Sequence, residues 1–381
     1  MYLIYRLKSR IFTIFFLIMA LCNIVASDVY AKKLPRPPQY VCISFDGSGS
    51  FNFWQQTLRF AEEFNKKFKK QAKTLHFTYF ISGIHFMPTT HRALYQTYRY
   101  VKGRRQKVQG QAAIRFGGKP EWIKKRIEMM FQSIREGHEI GSHVVGHFDS
   151  KAWDAFQWDE EFRQFNAIMY PIFQLKQMPQ PHRWDHGKLL ASEMGIVGFR
   201  APYLNTNQHL WPVMRKHGFR YDASGLRRKH LWPYKNKDGI WRFLLAPLTI
   251  VGSGKPTLSM DWNFFIADTN SKYDPSPQNR RRYTQQMLET YRRYFAHNYN
   301  GNRSPIHIGH HLVNINGNAY HYALQRFIHE VCHLPEVHCS IYKDLLKYVE
   351  SLSPEILSAY QRGHFDQTNR PKYKSHIYRK K

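Results

Sequence analysis

The chain has 381 residues, with 57 Lys and Arg set against 27 Asp and Glu, and a formal net charge of +30. No repeat or low-complexity linker divides it, so the length admits one large domain or two modest ones. The charge favours a polyanion or an anionic surface nearby, but no zinc-finger or basic-helix pattern accompanies it, so nucleic acid is not an expected partner.

Arg6, Lys8 and Arg10 precede Ile11 to Leu21, a run in which only Thr13 is polar. That pattern is an export signal, and the run is too short for a comfortable membrane span. Cleavage is expected after Ser27 or Ala31, with Val25 or Val29 at minus three. The alternative is an uncleaved anchor over residues 11–21 that keeps the protein beside a membrane. Residues 1–31 are assigned to export or anchoring, 32–355 to the folded domain, and 356–381 to a basic tail. The domain is expected to work in the periplasm or as a secreted protein, where anionic glycan suits both charge and compartment.

In chain order, Tyr40 to Asp46 reads as a short buried strand, followed by Trp54, Leu58, Ala61 and Phe64 at helical spacing. Leu75 to Ile81 is a second strand. Residues 82–118 are rich in glycine and basic residues and long for a loop, which predicts a rim or lid feature. Pro120 opens a helix whose apolar face is Ile123, Ile127, Phe131 and Ile134, and Gly137 ends it. His138 to Ser142 gives the third strand, and His143 and His147, four apart, follow it. Were the chain to turn helically there, both imidazoles would share one side of a turn and could share a metal.

Trp158 to Phe173 is another helix, and Gly195 to Phe199 a fourth strand ending at Arg200. Strands at Phe219 to Ala223, Ile240 to Leu245 and Ile306 to His310 continue the series, with helices at Tyr283 to Phe295 and Ala323 to Val331. This alternation predicts an α/β fold, a closed or nearly closed (β/α) barrel of the TIM type, distorted or incomplete. Asp46, His143, Arg200 and the pair His310 and His311 then fall at the C-terminal ends of strands, which in a barrel converge on one face. Near the end of the chain, Cys332 and Cys339 are expected to form a disulfide in an oxidising compartment, while Cys42 reads as a buried thiol.

Five stretches resemble the polysaccharide deacetylase family, which includes chitin and peptidoglycan N-acetylglucosamine deacetylases. They are Ser44-Phe45-Asp46-Gly47-Ser48, His143-Val144-Val145-Gly146-His147, Arg200-Ala201-Pro202-Tyr203, Asp261-Trp262 and Ile308-Gly309-His310-His311, in the family's order. The resemblance implies a barrel of the family's type and hydrolysis of acetyl groups from an N- or O-acetylated cell-envelope or extracellular polysaccharide, itself anionic or set in an anionic matrix. It implies a divalent metal, zinc first, on His143 and His147. It further implies Asp46 as general base, Arg200 as its partner, and His311 or His310 as general acid oriented by Asp261. The backbone N–H of Tyr203 would serve the oxyanion, and Trp262 would wall the acetyl pocket. Strand alternation lets only one of His310 and His311 face the pocket, and the insect-type spacing of the fifth motif favours His311.

The first motif departs from the family. Its second aspartate, the third metal ligand, is Gly47 here. Either Asp46 ligates the metal itself, or Ser48, Ser50 or Asp149 does, or the chain is a catalytically impaired polysaccharide-binding module that retains the barrel.

Overall fold

The structure is a computed structural model and describes residues 34–101, 104–175, 190–368 and 372–373. The expected export or anchor segment lies outside the described residues, as does most of the terminal basic run. Among the described residues no helix is long and apolar enough to cross a membrane.

The chain opens with strand β1, Gln39–Asp46, and the helix Phe51–Lys67. Ser50 caps that helix by accepting from the Phe53 N–H at 3.3 Å, and Phe53, Trp54, Thr57, Leu58, Ala61 and Phe64 form its buried stripe. Strand β2 is Thr78–Ile81, shorter than the Leu75 to Ile81 expectation. The Asn65 side chain accepts from the Leu75 N–H and donates to the Leu75 carbonyl, and Leu75 keeps only an isolated bridge to Cys339.

The long stretch after β2 holds short 3₁₀ turns and an antiparallel hairpin of β3, Gln96–Val101, and β4, Arg104–Gln109. β4 presents mainly exposed polar and basic side chains. The expected rim feature is therefore a separate two-stranded sheet. Pro120 begins the helix Pro120–Arg135, and Gly137 follows it at φ +86°, the left-handed conformation that glycine adopts at least cost.

Strand β5, Glu139–Ser142, pairs in parallel with β2. β6 (Gly198–Phe199), β7 (Tyr221–Asp222) and β9 (Trp241–Arg242) extend the sheet in parallel, and β8 (Tyr234–Lys235) joins β9 antiparallel. These strands are shorter than the hydrophobic runs predicted. Before β6, for example, the Ile196 N–H is spent on the Ala191 carbonyl, so an apolar run read as strand is partly a turn. A ribbon of β10 (Pro247–Thr249) and β11 (Pro256–Leu258) stands apart. β12, Ile306–His311, lies parallel beside β1, and β13, Val337–Cys339, pairs with the start of β1.

The nine-stranded sheet runs β12-β1-β2-β5-β6-β7-β9-β8, with β13 on the side of β1. It is an incomplete (β/α) barrel: β8 and β12 do not pair with each other, and β12 has beyond it only a bridge from Gly309 to Met260. Val41, Ile43 and Phe45 of β1 belong to the large core formed with the surrounding helices. Cys42 belongs to a second cluster with Phe80, Tyr221 and Phe243, completed by Tyr342, Leu345, Leu346 and Val349 of the helix Tyr342–Ser351. β1 is thus buried on both sides, as a barrel strand must be. Tyr360 and Phe365 are buried with Trp232, so packing continues past residue 355. Cys332 and Cys339 are bonded, their Cα atoms 5.5 Å apart, and Cys42 is a buried free thiol.

Candidate active site

Parallel pairing puts Asp46, the last residue of β1, opposite His311, the last of β12, and opposite Phe80 of β2. The strand ends converge on a groove of about 1330 Å³ whose lining includes Asp46, His143, His147, Tyr203, Trp262 and His311. The sequence-predicted address is therefore a single place. Asp46 is 4% exposed and Arg200 fully buried, and the Arg200 Nη1 donates to Asp46 Oδ1 at 2.7 Å. The same nitrogen donates to Ser44 Oγ at 2.7 Å, Nε to the Ala223 carbonyl at 3.1 Å and Nη2 to Tyr342 Oη at 3.3 Å. The Arg200 guanidinium carbon also lies 4.5 Å from the centre of the Phe80 ring.

The Arg200 backbone serves the neighbouring group. Its carbonyl lies 2.7 Å from His143 Nδ1. A carbonyl only accepts, so Nδ1 carries the proton and Nε2 keeps its lone pair. Burial pushes the pKa of His143 down to about 3, against the pull of the Asp46 carboxylate, so the ring is neutral. His147 stands with its ring centre 4.9 Å from that of His143 and 5.3 Å from that of Tyr203. The segment joining the histidines does not turn helically as the spacing suggested. Val144 has φ +49° and His147 φ +57°, so a left-handed loop, rather than a helical face, brings the rings together.

The His311 side of the groove is built on the bridge between Met260 and Gly309, which carries Asp261 to the end of β12. Asp261 Oδ2 accepts from the His311 N–H at 2.9 Å, and Oδ1 lies 2.7 Å from His311 Nδ1. Burial alone would lower the His311 pKa, but the Asp261 carboxylate outweighs it and raises the pKa above the ordinary histidine value. His310 faces the other way, 2% exposed, with Nε2 3.2 Å from Tyr291 Oη, and burial pushes it down to about 4. Of the two expected alternatives, His311 lines the groove and His310 belongs to the core.

In fold, the chain is similar to solved polysaccharide deacetylases. A Mycobacterium smegmatis structure assigned provisionally to that group is 14% identical, covering 85% of this chain and 97% of its own, with a TM-score of 0.46. The Xyl-CE4 domain of a multidomain xylanase from the hindgut metagenome of Trinervitermes trinervoides is 13% identical over 83% of this chain and 93% of its own, with a TM-score of 0.42. A family 4 carbohydrate esterase of Streptomyces lividans, solved with acetate, is 13% identical over 79% of this chain and 91% of its own, with a TM-score of 0.37. No protein-family model matches the sequence, and no curated protein does. At such identities any reading of activity rests on the residues themselves.

Those residues fit a metal only in part. His143 offers an unprotonated nitrogen, and His147 Nδ1 is buried without a hydrogen-bond partner. Yet among the described residues no three His, Cys, Asp or Glu side chains are grouped so as to hold an ion. Asp46, expected as a third ligand if not the base, is engaged by Arg200. The other oxygens considered are engaged too: Ser48 Oγ lies 3.0 Å from His85 Nδ1, Ser50 caps its helix, and Asp149 accepts from Asn205 Nδ2 at 2.7 Å. Gly47 sits at φ +80°, and a Cβ built there would meet nothing within 4 Å.

The remaining expected residues are at the rim. Tyr203 and Leu204, at φ +55° and +60°, turn sharply after Pro202, leaving the Tyr203 ring 62% exposed beside His147. Two successive non-glycine residues in that region are uncommon and mark a constrained turn. Trp262 is 43% exposed, its ring centre 5.9 Å from that of His311.

Sequence reasoning missed the residues that hold the histidine loop. Glu161, 2% exposed, accepts from the Val145 N–H at 3.0 Å and the Gly146 N–H at 3.2 Å, and Tyr95 Oη donates to its other oxygen. Its signal was present, a carboxylate on the same helical stripe as Trp158, Phe162 and Phe165. His85, buried at the groove floor, and Arg126 were also missed. Arg126 donates to the carbonyls of Ser48, Gly49, His85 and Gly117 at 2.7 to 3.2 Å, tying the first-motif loop to the long insertion. Nothing in the spacing of residues 82–118 pointed to His85, and nothing in that of the helix Pro120–Arg135 to Arg126.

Proposed function

We propose that the chain is an exported hydrolase that removes acetyl groups from an N- or O-acetylated polysaccharide of the cell envelope or its surroundings. The observation that supports this reading best is the convergence of two hydrogen-bonded pairs on one groove: Asp46 with Arg200, and His311 with Asp261. Amide or ester hydrolysis needs a base to take a proton from water and an acid to return one to the leaving group. Asp46, paired with Arg200, takes the first role, and His311, whose pKa Asp261 raises, the second. The backbone N–H of Tyr203 is the proposed donor to the oxyanion, and Trp262 the wall against the acetyl methyl.

A divalent ion, zinc by its preference for imidazole, is proposed on His143 and His147, where it would polarise the acetyl carbonyl and acidify water. With two protein donors such a site would bind the ion weakly. The net charge of +30 supports a substrate that is anionic or held in an anionic matrix. Export, with a folded domain beginning near residue 32 and with or without retention at the membrane by residues 11–21, is part of the same proposal.

Acetate release from chitin oligomers, peptidoglycan and acetylated exopolysaccharide, with the deacetylated product identified by mass, tests the reading. Release from at least one polymer is the expected result. Binding without release from any would leave the polysaccharide-binding module as the function.

A further inference from the structure

The groove extends beyond the catalytic groups, and its far wall is made by the insertion. Ile114, Arg115, Phe116 and Gly117 line it together with Trp122 from the following helix. This wall is firmly seated. The Ala113 N–H donates to the carbonyl of Gly146, next to His147, at 2.8 Å, and the Gly117 carbonyl accepts from Arg126 Nη1 at 2.7 Å. A Cβ on Gly117 would stand 2.3 Å from the His85 carbonyl oxygen, so the wall approaches the floor as closely as only glycine permits.

Two side chains on this wall are left largely open. Arg115 is exposed and makes no ion pair or hydrogen bond among the described residues, whereas Arg126, the other arginine lining the groove, is buried and spent on carbonyls. Trp122 leaves 46% of its surface exposed, and a Cβ on Gly118 would lie 2.5 Å from its ring, so the indole rests against bare backbone with its outer side open. The lining also includes the uncharged side chains Leu226, Leu258, Trp262, Ile266 and Val313.

We propose that Arg115 and Trp122 form a subsite for a carboxylate-bearing sugar ring next to the acetylated one, Trp122 stacking on the ring and Arg115 pairing with its carboxylate. The inference rests on the deacetylase reading for which ring is acetylated, but the binding it describes does not require turnover. A planar guanidinium matches a carboxylate in geometry as well as charge, and an open indole face suits the apolar side of a pyranose. Uronic acids and lactyl ethers both supply this chemistry.

The test uses two acetylated polymers, an O-acetylated polyuronate and amidase-treated peptidoglycan strands with free lactyl carboxylates. Each is compared with its own carboxyl-reduced form by calorimetry at low and moderate salt. Wild type is expected to bind at least one native polymer about tenfold more tightly than its reduced form, the size of one charge-assisted contact, with the advantage shrinking as salt rises. Which polymer shows the preference identifies the source. Arg115→Gln should bring the two forms together, and Trp122→Ala should weaken both, while Arg59→Gln, which removes a charge outside the groove, should preserve the preference. Equal binding of native and reduced polymers by wild type, or loss of the preference in Arg59→Gln to the same degree as in Arg115→Gln, would overturn the proposal. Acetate release, followed in parallel, reports separately: the binding preference without any release would retain the subsite and refute the deacetylase reading.

Discussion

Arg200 serves two partners from its two ends. Its guanidinium donates to Asp46 at 2.7 Å and its carbonyl stands 2.7 Å from His143 Nδ1, so one residue holds the proposed base in place and fixes the tautomer of the proposed ligand. Removing the side chain separates these duties. Arg200→Met leaves the buried Asp46 carboxylate without its cation, which costs about 3–5 kcal/mol when one partner of a buried pair is lost. Denaturant unfolding should show that loss, and acetate release should fall with it, while the backbone acceptor for His143 persists. A variant with wild-type stability would show that the pair contributes little to holding the first motif.

His311 and Asp261 make the pH dependence specific. The His311 pKa is raised in the folded chain, so the stability it contributes is fully present below the unfolded value of about 6.5 and is lost as pH rises through the folded value. An acid that must be protonated gives the same sign for turnover, which should decline on the alkaline side. Asp261→Asn removes the charge that raises the pKa, so the alkaline limb of the kcat profile should move to lower pH. An unmoved limb in Asp261→Asn would assign it to another group.

Glu161 is predicted to be a positioning residue. It accepts two N–H groups of the loop that carries His143 and His147, and leaving buried N–H groups unpaired costs roughly 1–3 kcal/mol each. Glu161→Ala should destabilise the fold and weaken cobalt binding, read from the visible spectrum, whereas Glu161→Gln keeps an acceptor oxygen and should recover much of both. If Glu161→Ala binds cobalt like wild type, the loop is held by other contacts.

At Gly47 the missing carboxylate can be restored. The position has a left-handed φ of +80° and open space around a Cβ, and aspartate tolerates that conformation better than most residues. Gly47→Asp should raise zinc affinity by tenfold or more, since a third charged ligand completes the usual catalytic set. Equilibrium dialysis against zinc measures this, and unchanged affinity would place the ion, if any, elsewhere.

Much of the site was legible because strand ends carry short polar signatures at the close of apolar runs. Asp46, Arg200 and the pair His310 and His311 could be read this way, the preference for His311 coming from the family's motif spacing, and the barrel followed from the strand and helix alternation. The His143 to His147 geometry was not legible in the same sense: the spacing suggested a helical turn, but two left-handed residues make the loop, held by a glutamate from the following helix, Ala155–Leu175. The strand lengths after residue 195 were overread, because buried apolar residues such as Ile196 pack equally well from a turn. The groove wall of residues 113–118 depends on contacts between segments far apart in sequence, which local pattern cannot show.

The central claim is that Asp46 acts as the base while His143 and His147 hold a metal. It is tested most directly by measuring zinc content and acetate release together for wild type, Asp46→Asn and His143→Ala. The prediction is that Asp46→Asn retains the zinc of wild type and loses acetate release, while His143→Ala loses both. Loss of zinc from Asp46→Asn would contradict the base assignment and make Asp46 a ligand, and a wild-type protein that takes up no zinc and releases no acetate would contradict the deacetylase account as a whole.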